Sequence, residues 1–185
     1  MQAAMKWAAV LCLAGAAVTA ALYMSGREGF LTPAITLGTA GYHLGMRLLV
    51  GFIFDRAMKN RADLNQKWYR LRPWEARVYK LLRVKRWKGK MPTYVPDYFS
   101  RERHSWSEIA GAMCQAELVH ETIVVLSFLP IGAAAVFGSF YVFLITSLCA
   151  AAFDLCFVIV QRFNRARVMG AVMRERRQGD VHKKA

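Results

Sequence analysis

Three ionisable side chains stand close together in an otherwise apolar stretch of the sequence. Glu117 and His120 are three residues apart and Glu117 and Glu121 are four apart, so a helix presents all three on roughly one face. Ionisable groups at membrane depth are costly unless they are paired, which makes these residues candidates for function. A histidine hydrogen-bonded to a carboxylate is also the usual arrangement for a general base.

Two other interpretations of this group remain open. The three side chains could lie in the interfacial zone and only pair with arginines of the C-terminal segment. They could also bind a metal ion, but no further His or Cys is placed to complete a ligand shell. We therefore expect no metal.

A second polar group lies at the end of the last apolar stretch. Asp154 and Gln161 are seven residues apart, two helical turns, and share one stripe of a helix. Arginines with Gln and Asn follow, and such forked donors suit phosphate or carboxylate. The run contains Gln161, Arg162, Asn164, Arg165 and Arg167. An ordinary basic flank that contacts lipid headgroups is the alternative.

Four apolar stretches must position these groups, and each is about as long as a helix that crosses a hydrocarbon core of about 30 Å. We predict an all-α integral membrane bundle of about four transmembrane helices in a single membrane domain, residues 1–185. The crossings are expected at about residues 5–24, 32–55, 111–131 and 136–160. A signal peptide is the alternative for the first stretch, where Lys6 precedes an apolar run with small residues at its end; we favour a retained anchor.

The net charge of +14 is concentrated in two segments. Of 26 lysines and arginines, 15 lie between Arg56 and Arg103 and 8 between Arg162 and Lys184. Cytoplasmic flanks of membrane helices carry this excess, so we predict a multi-pass protein with both termini in the cytoplasm. No groove-reading motif accompanies the charge, and nucleic acid is not an expected partner.

The segment 56–106 is too charged to cross a membrane and rich in aromatic residues. Pro73 can open a helix, and apolar residues recur after it at helical spacing. We predict a cytoplasmic interfacial amphipathic helix on the inner leaflet, followed by the basic cytoplasmic tail 162–185 after the last crossing. The aromatic side chains expected at headgroup level are Trp68, Tyr69, Trp74, Tyr79 and Trp87.

Three packing details follow from the pattern. Gly41 and Gly45, four residues apart, predict a close helix approach on the second crossing. Ser105 or Ser107 is expected to cap the third crossing. The third and fourth crossings form an antiparallel hairpin, which brings the Glu117–His120 group beside Asp154 and the arginine run.

Three blocks of the chain resemble the glycosyl-4,4'-diaponeurosporenoate acyltransferases, small bacterial membrane enzymes of staphyloxanthin-type carotenoid biosynthesis. The blocks are residues 74–88 with Pro92, residues 116–120 and residues 160–167, in matching order and spacing. The family usually has Asn where this chain has Asp154 and Pro where it has Cys156. The resemblance covers residues 68–168 and implies a bacterial cell membrane location.

The resemblance implies an acyltransferase that moves a fatty acyl chain onto a hydroxyl group. The expected acceptor is a sugar hydroxyl of a glycosylated lipid, such as a carotenoid glycoside. His120 would take the hydroxyl proton, oriented by Glu117, and Gln161 or Asn164 would stabilise the oxyanion. Acyl-CoA or a similar acyl donor is the expected co-substrate, and no bound cofactor is expected. The implied substrate-binding residues are Glu75, Trp87, Lys88, Glu121, Asp154, Gln161, Arg162, Asn164, Arg165 and Arg167.

The alternative from another class is a non-catalytic membrane scaffold or an anionic-lipid-binding protein. Such a protein should tolerate Gln at Glu117 and Phe at His120, whereas an enzyme should not. The expected partners of the enzyme are membrane lipids, a lipid or glycolipid acceptor and the acyl donor. The sequence leaves the oligomeric state open.

Overall fold

The computed structural model describes residues 2–92, 96–138 and 140–182, which are helical and contain no strand. This confirms the all-α prediction. The α-helices are α1 (Gln2–Met24), α2 (Leu31–Met58), α3 (Pro73–Leu81), α4 (Val84–Trp87), α5 (Trp106–Leu126), α6 (Ala134–Phe137) and α7 (Phe140–His182). Short 3-10 turns lie at Glu28–Phe30, Lys67–Tyr69, Lys88–Lys90, Pro96–Phe99 and Leu129–Ala133.

Four helical segments are long and apolar enough to cross a membrane, as predicted. They are Ala3–Met24, Glu28–Met58, Trp106–Phe137 and Phe140–Glu175. Large apolar side chains on them stay more than half exposed, for example Trp7, Leu11, Val142 and Ile145. Such a surface is unfavourable in water and is satisfied by lipid tails, so the helices fit a membrane protein. The side of the membrane on which the termini lie stays a prediction.

The observed bounds of the last two crossings differ from the predicted ones. The third begins at Trp106, and the fourth begins at Phe140 because Gly138, with φ of 69°, ends the helix before it. Helix α7 then runs to His182, through most of the predicted basic tail, since no proline interrupts it. Residues 93–95, 139 and 183–185 of the predicted segments lie outside the described residues.

The described residues fall into two compact units. Unit 1 comprises those of Met1–Ile53 and Ile123–Ala151, and unit 2 comprises those of Phe54–Thr122 and Ala152–Ala185. The prediction of a single membrane domain stays a prediction.

In unit 1, α1 packs closely on α2 at one of the two expected glycines. A Cβ on Gly41 would lie 2.7 Å from Cδ2 of Leu13, whereas a Cβ on Gly45 would meet nothing within 4 Å. The Tyr42 hydroxyl donates a 2.8 Å hydrogen bond to the carbonyl oxygen of Leu126. Only the first glycine of the predicted pair therefore serves helix packing within the unit.

In unit 2, the predicted single interfacial helix is two helices. Pro73 opens α3 as expected, but Arg83 adopts a left-handed backbone with φ of 50° between α3 and α4. The indole N–H of Trp87 donates a 3.0 Å bond to the carbonyl oxygen of Leu82 and so stabilises this turn. The break changes the direction of the chain, and apolar residues on either side of it do not share one face.

The aromatic side chains of this segment divide into two groups. Trp68 and Trp74 are more than half exposed, which suits the headgroup level, and their location there stays a prediction. Tyr69 and Tyr79 are buried within the protein, so their predicted position among headgroups is wrong. Tyr79 donates a hydrogen bond to Glu75, and the carbonyl oxygen of Tyr69 accepts one from Arg165, which is consistent with their burial.

Helix α5 begins with the predicted Ser105 cap. The Ser105 hydroxyl accepts a 3.2 Å bond from the backbone N–H of Glu108, and the Glu108 carboxylate accepts a 2.8 Å bond from the backbone N–H of Ser105. This reciprocal pair is a capping box, and it fixes where the helix starts.

A glycine on α5 accommodates the turn that follows α2. Lys59 and Asn60 both have left-handed backbones, with φ of 49° and 57°. A Cβ on Gly111 would lie 2.5 Å from the carbonyl oxygen of Asn60, and the Gln115 side chain accepts a 2.7 Å bond from the backbone N–H of Asn60. Only a residue without a side chain fits at this position of the helix.

We expect Gly111→Ala to destabilise the protein by about 1–3 kcal/mol, because the added methyl forces α5 and this turn apart. The matched control is Gly170→Ala, where a Cβ meets nothing within 4 Å, and helix propensity predicts a small gain of up to about 1 kcal/mol. Denaturant unfolding in detergent micelles measures both. Equal stability of the two variants would contradict the close approach.

Candidate functional site

The predicted site residues of unit 2 form two groups on facing parts of α5 and α7. The first, which we call the ion cluster, consists of Glu75, Glu117, Glu121, Arg162 and Arg165. The second, the histidine–aspartate pair, consists of His120 and Asp154. His120 of α5 pairs with Asp154 of α7, whereas the earlier Glu117 pairs with the later Arg162 and Arg165, as in the predicted antiparallel arrangement.

The centre of the ion cluster is the fully buried carboxylate of Glu117. Arg162 Nη1 donates a 2.8 Å hydrogen bond to its Oε1, and Arg165 Nη1 donates to its Oε2. Arg162 also donates to both oxygens of Glu75, over 2.8 Å from Nη2 and 3.2 Å from Nε. Two guanidinium groups of α7 are thus held by carboxylates of α3 and α5.

Aromatic and backbone groups complete the ion cluster. Trp68 Nε1 donates a 2.9 Å bond to Glu121, and the Tyr79 hydroxyl donates a 2.8 Å bond to Glu75. Arg165 donates a 2.8 Å bond to the carbonyl oxygen of Tyr69, whose ring centroid lies 5.1 Å from the guanidinium carbon. These groups satisfy charges that burial would otherwise make costly.

Helical spacing explains which residues meet. Glu117 and Glu121 stand one turn apart on α5, and Arg162 and Arg165 stand three residues apart on α7. Tyr79 was missed as a partner of the site. Its position four residues after Glu75 in α3 was the available signal, because residues at that spacing share a helix face.

The electrostatics of α3 and the turn before it reflect the ion cluster. Burial raises the pKa of the Glu75 carboxyl, but the hydrogen bonds from Arg162 and Tyr79 outweigh it and hold the pKa below its ordinary value. Burial raises the pKa of Tyr69 to about 12. Burial and the hydrogen bond to Glu75 likewise raise the pKa of Tyr79.

The arginines of the ion cluster are paired with carboxylates in the structure, and their contact with a substrate stays a prediction. Three carboxylates face two guanidinium groups, so its formal charge is negative. Arg162 and Arg165, expected to hold an anionic head, bind glutamates. This matches the alternative interpretation in which Glu117 and Glu121 pair with arginines of the C-terminal segment.

The histidine–aspartate pair has the geometry of a base and its orienting group. His120 Nδ1 lies 2.9 Å from Asp154 Oδ1, and the imidazole stacks on the Phe157 ring with centroids 4.5 Å apart and planes 7° apart. The Asp154 side chain is 1% exposed and that of His120 is 22% exposed. One edge of the imidazole is fixed by a buried carboxylate while part of the ring stays accessible.

The expected orientation of His120 by Glu117 is therefore wrong. Arg162 and Arg165 take both oxygens of Glu117, and Asp154 of α7 supplies the carboxylate next to the imidazole. Asp154 had been expected to contact substrate. The structure shows its contact with His120, and a contact with substrate stays a prediction.

The remaining predicted residues lie farther along α7 and beside it. Lys88 Nζ donates a 2.6 Å bond to Asn164 Oδ1 and lies 5.1 Å from the Phe163 ring centroid. Burial, then repulsion from Arg167 and Lys85, lowers the pKa of the Lys88 amine. Trp87 makes its indole hydrogen bond within its own turn.

The helical rise places the other donors relative to His120. Gln161, which is half-buried, follows Asp154 by seven residues, or about 10 Å along α7, on the same stripe. Asn164 follows by ten residues, or about 15 Å, and is turned away from that stripe. Arg167 is exposed and lies farther along α7.

Among the described residues, no group of three or more His, Cys, Asp and Glu side chains is arranged to hold a metal ion.

A family model described as glycosyl-4,4'-diaponeurosporenoate acyltransferase matches residues 65–174. The chain belongs to this family. The matched residues contain the ion cluster, the histidine–aspartate pair and the contact between Lys88 and Asn164, so the family match covers the polar part of unit 2. No curated protein and no solved structure matches the chain.

We expect Glu117→Gln to destabilise the protein by about 3 kcal/mol or more, because it leaves two buried guanidinium groups without their shared charge. Arg165→Lys should also destabilise it, since one ammonium cannot reproduce the forked contacts with Glu117 and Tyr69. Thermal unfolding in detergent measures both. Arg167→Lys, on an exposed residue, is the control, and equal loss in all three would contradict the assigned contacts.

The ion pair of Glu75 predicts a pH dependence of stability. Its pKa in the folded protein lies below the ordinary 4.5, so the stabilisation is present above that value and is lost as the pH falls through the depressed pKa. Glu75→Gln should be less stable than the wild type at pH 7, and the difference should shrink on acidification. Glu102→Gln removes an exposed carboxylate as the matched charge change. A Glu75→Gln difference that grows at low pH would contradict the sign.

Proposed function

We propose that the chain is an O-acyltransferase that moves a fatty acyl group from a thioester donor onto a hydroxyl of a glycosylated lipid, such as a carotenoid glycoside. Family membership supports acyl transfer. The observation that carries the mechanism is the partly exposed imidazole of His120 fixed at Nδ1 by the buried carboxylate of Asp154.

The first step is proton removal from the acceptor hydroxyl. Because Nδ1 of His120 is hydrogen-bonded to Asp154, the other ring nitrogen, Nε2, takes the proton. The Asp154 carboxylate keeps the imidazole in the required tautomer and stabilises the imidazolium that forms. The Asn usual in the family accepts the same hydrogen bond but supplies no charge, so this chain has the stronger orienting group.

The second step is acyl transfer itself. The hydroxyl oxygen forms a bond to the thioester carbonyl carbon, and the carbonyl electron pair moves onto its oxygen. When this tetrahedral oxyanion collapses, the carbon–sulfur bond breaks and the leaving thiolate takes the proton from Nε2. The products are one ester and one thiol, and His120 returns to its starting state.

The oxyanion needs a preorganised donor, and Gln161 is better placed for this than Asn164. Gln161 stands one turn beyond Phe157, on which the His120 ring stacks. The carbonyl oxygen of Asn164 accepts from Lys88, at a greater distance along the helix. We therefore assign the oxyanion contact to Gln161, and we place Asn164 on the side where the acyl donor binds.

The membrane setting suits two substrates with long tails. Exposed apolar side chains on the four crossing helices leave both tails in lipid, while polar groups meet where the basic segments begin. We propose that this face is cytoplasmic, with both termini on that side, because positive charge is retained there.

The direct test is mass spectrometry of lipids from bacterial cells with and without the gene. Cells that express the chain should contain a glycolipid heavier by one fatty acyl group, and the unacylated form should accumulate without it. An identical lipid profile in both strains would refute the proposed acyl transfer.

We expect His120→Ala to lower the transfer rate by about 10²–10⁴-fold in a protein that still folds, with a lower thermal stability because the hydrogen bond to the buried Asp154 is lost. The matched control is His104→Ala, which removes a histidine that lies 3.9 Å from Glu108 at the start of α5 and should leave transfer unchanged. Purified protein with a labelled acyl donor gives the rates. A folded and active His120→Ala variant would sink the mechanism.

Asp154 offers a graded series within the same assay. Asp154→Asn keeps a hydrogen-bond acceptor for Nδ1 and should keep part of the activity, whereas Asp154→Ala removes the orienting contact and should lose more. The loss should appear in kcat rather than in KM, because Asp154 acts through His120. Equal activity of the two variants would contradict this positioning role.

A further inference from the structure

Unit 2 contains an open groove of about 550 Å³ beside α3, α4 and the 163–167 part of α7. We call it the basic groove. Its cationic lining residues are Lys80, Arg83, Lys85, Arg86 and Arg167. The mechanism above uses none of them.

The charge of the basic groove has one sign. Five cationic side chains line it, all of them exposed, and no Asp or Glu is among its described lining residues. Next to the groove, burial first and then repulsion from Arg167 and Lys85 lower the pKa of the Lys88 amine, which agrees with the single sign of the lining charges. Crowded like charges are relieved by a polyanion, because each cation gains a partner.

The floor of the basic groove is apolar and partly aromatic. Tyr79 and Phe163 meet edge to face with ring centroids 5.8 Å apart, and Val84 is fully buried beneath the rim. A cationic rim above such a floor fits a ligand that joins several phosphates to a flat ring. A headgroup with one phosphate uses only part of this lining.

The ion cluster cannot compete for such a ligand. Its guanidinium groups are occupied by carboxylates and its formal charge is negative. The anionic part of a donor is therefore repelled by Arg162 and Arg165 together with their partners and attracted to the basic groove. Arg162 and Arg165 therefore hold helices together through ion pairs, whereas the cations of the basic groove are placed to bind an anion.

We propose that the basic groove binds the phosphate-rich nucleotide head of a coenzyme A thioester, the donor in the proposed function on which this inference rests. Its volume lies in the range of about 300–1,000 Å³ typical of small-molecule sites. Phe163 follows Asp154 by nine residues, or about 14 Å along α7. The extended arm of coenzyme A spans such a gap, so the head can occupy the groove while the thioester reaches His120.

The test measures binding without chemistry. Full-length protein in uncharged lipid nanodiscs is titrated with coenzyme A and with adenosine 3',5'-bisphosphate, which carries phosphates and ring but no thioester. The triple variant Lys80→Gln/Lys85→Gln/Arg86→Gln should bind both about tenfold more weakly or worse. Wild-type binding should also weaken as salt is raised.

The matched control is Arg61→Gln/Arg77→Gln/Lys90→Gln, which removes the same charge from exposed residues outside the groove lining and should bind as the wild type does. Thermal unfolding checks that both triple variants are folded. If the groove variant is unstable, the single variant Arg86→Gln, expected to show a smaller loss, replaces it. Unchanged affinity in a folded groove variant overturns the proposal.

Two further arms separate this inference from the proposed function. His120→Ala should lose transfer and keep coenzyme A binding; a chain that transfers acyl groups but does not bind coenzyme A refutes the groove assignment alone. In nanodiscs that contain anionic phospholipid, binding of that phospholipid to the protein should fall no further in the groove variant than in the control variant. Loss of lipid binding without any coenzyme A binding would assign the groove to lipid headgroups and overturn the proposal.

Discussion

The buried contact between Glu117 and the guanidinium groups of Arg162 and Arg165 is the constraint from which the rest of unit 2 follows. A buried carboxylate is costly unless it is paired, and charged donors satisfy both oxygens of Glu117. Arg162 also reaches Glu75, and Arg165 reaches the backbone of Tyr69. One set of charges therefore fixes α3 and the turn before it against α5 and α7, and these contacts also hold the helices that carry His120 and Asp154.

In the proposed mechanism, structural residues and the residues that position the base occupy separate parts of the single helix α7. On α7, Asp154 contacts the imidazole, Arg162 and Arg165 contact buried carboxylates, and Arg167 lines the basic groove, whose other cations come from residues 80–86. Since α7 runs from Phe140 to His182 without interruption, the rise per residue sets the spacing of these three regions. An insertion in the helix would move the imidazole contact relative to the groove.

The sequence was sufficient for features that depend on one segment at a time. Apolar length predicted four crossings, and the Ser105–Glu108 spacing predicted a cap. The short connection between the third and fourth crossings also predicted that His120 would lie beside Asp154. The sequence was insufficient to predict which side chains of two neighbouring helices would contact each other. Glu117 and Asp154 are both carboxylates near His120, and the rotation of α7 about its axis selects between them. The left-handed Arg83 and the fit of Asn60 over Gly111 likewise depend on packing between distant segments, which no single periodicity contains.

The order of synthesis gives the ion cluster a consequence for how the chain enters the membrane. Glu117 precedes its partners by 45 and 48 residues, so α5 leaves the ribosome while both guanidinium groups are still unmade. Until then its carboxylate has no partner from α7, and burying it in lipid is costly. We therefore expect α5 to remain at the insertion machinery, or near the aqueous boundary, until α7 emerges, with the two helices committing to the bilayer as a pair.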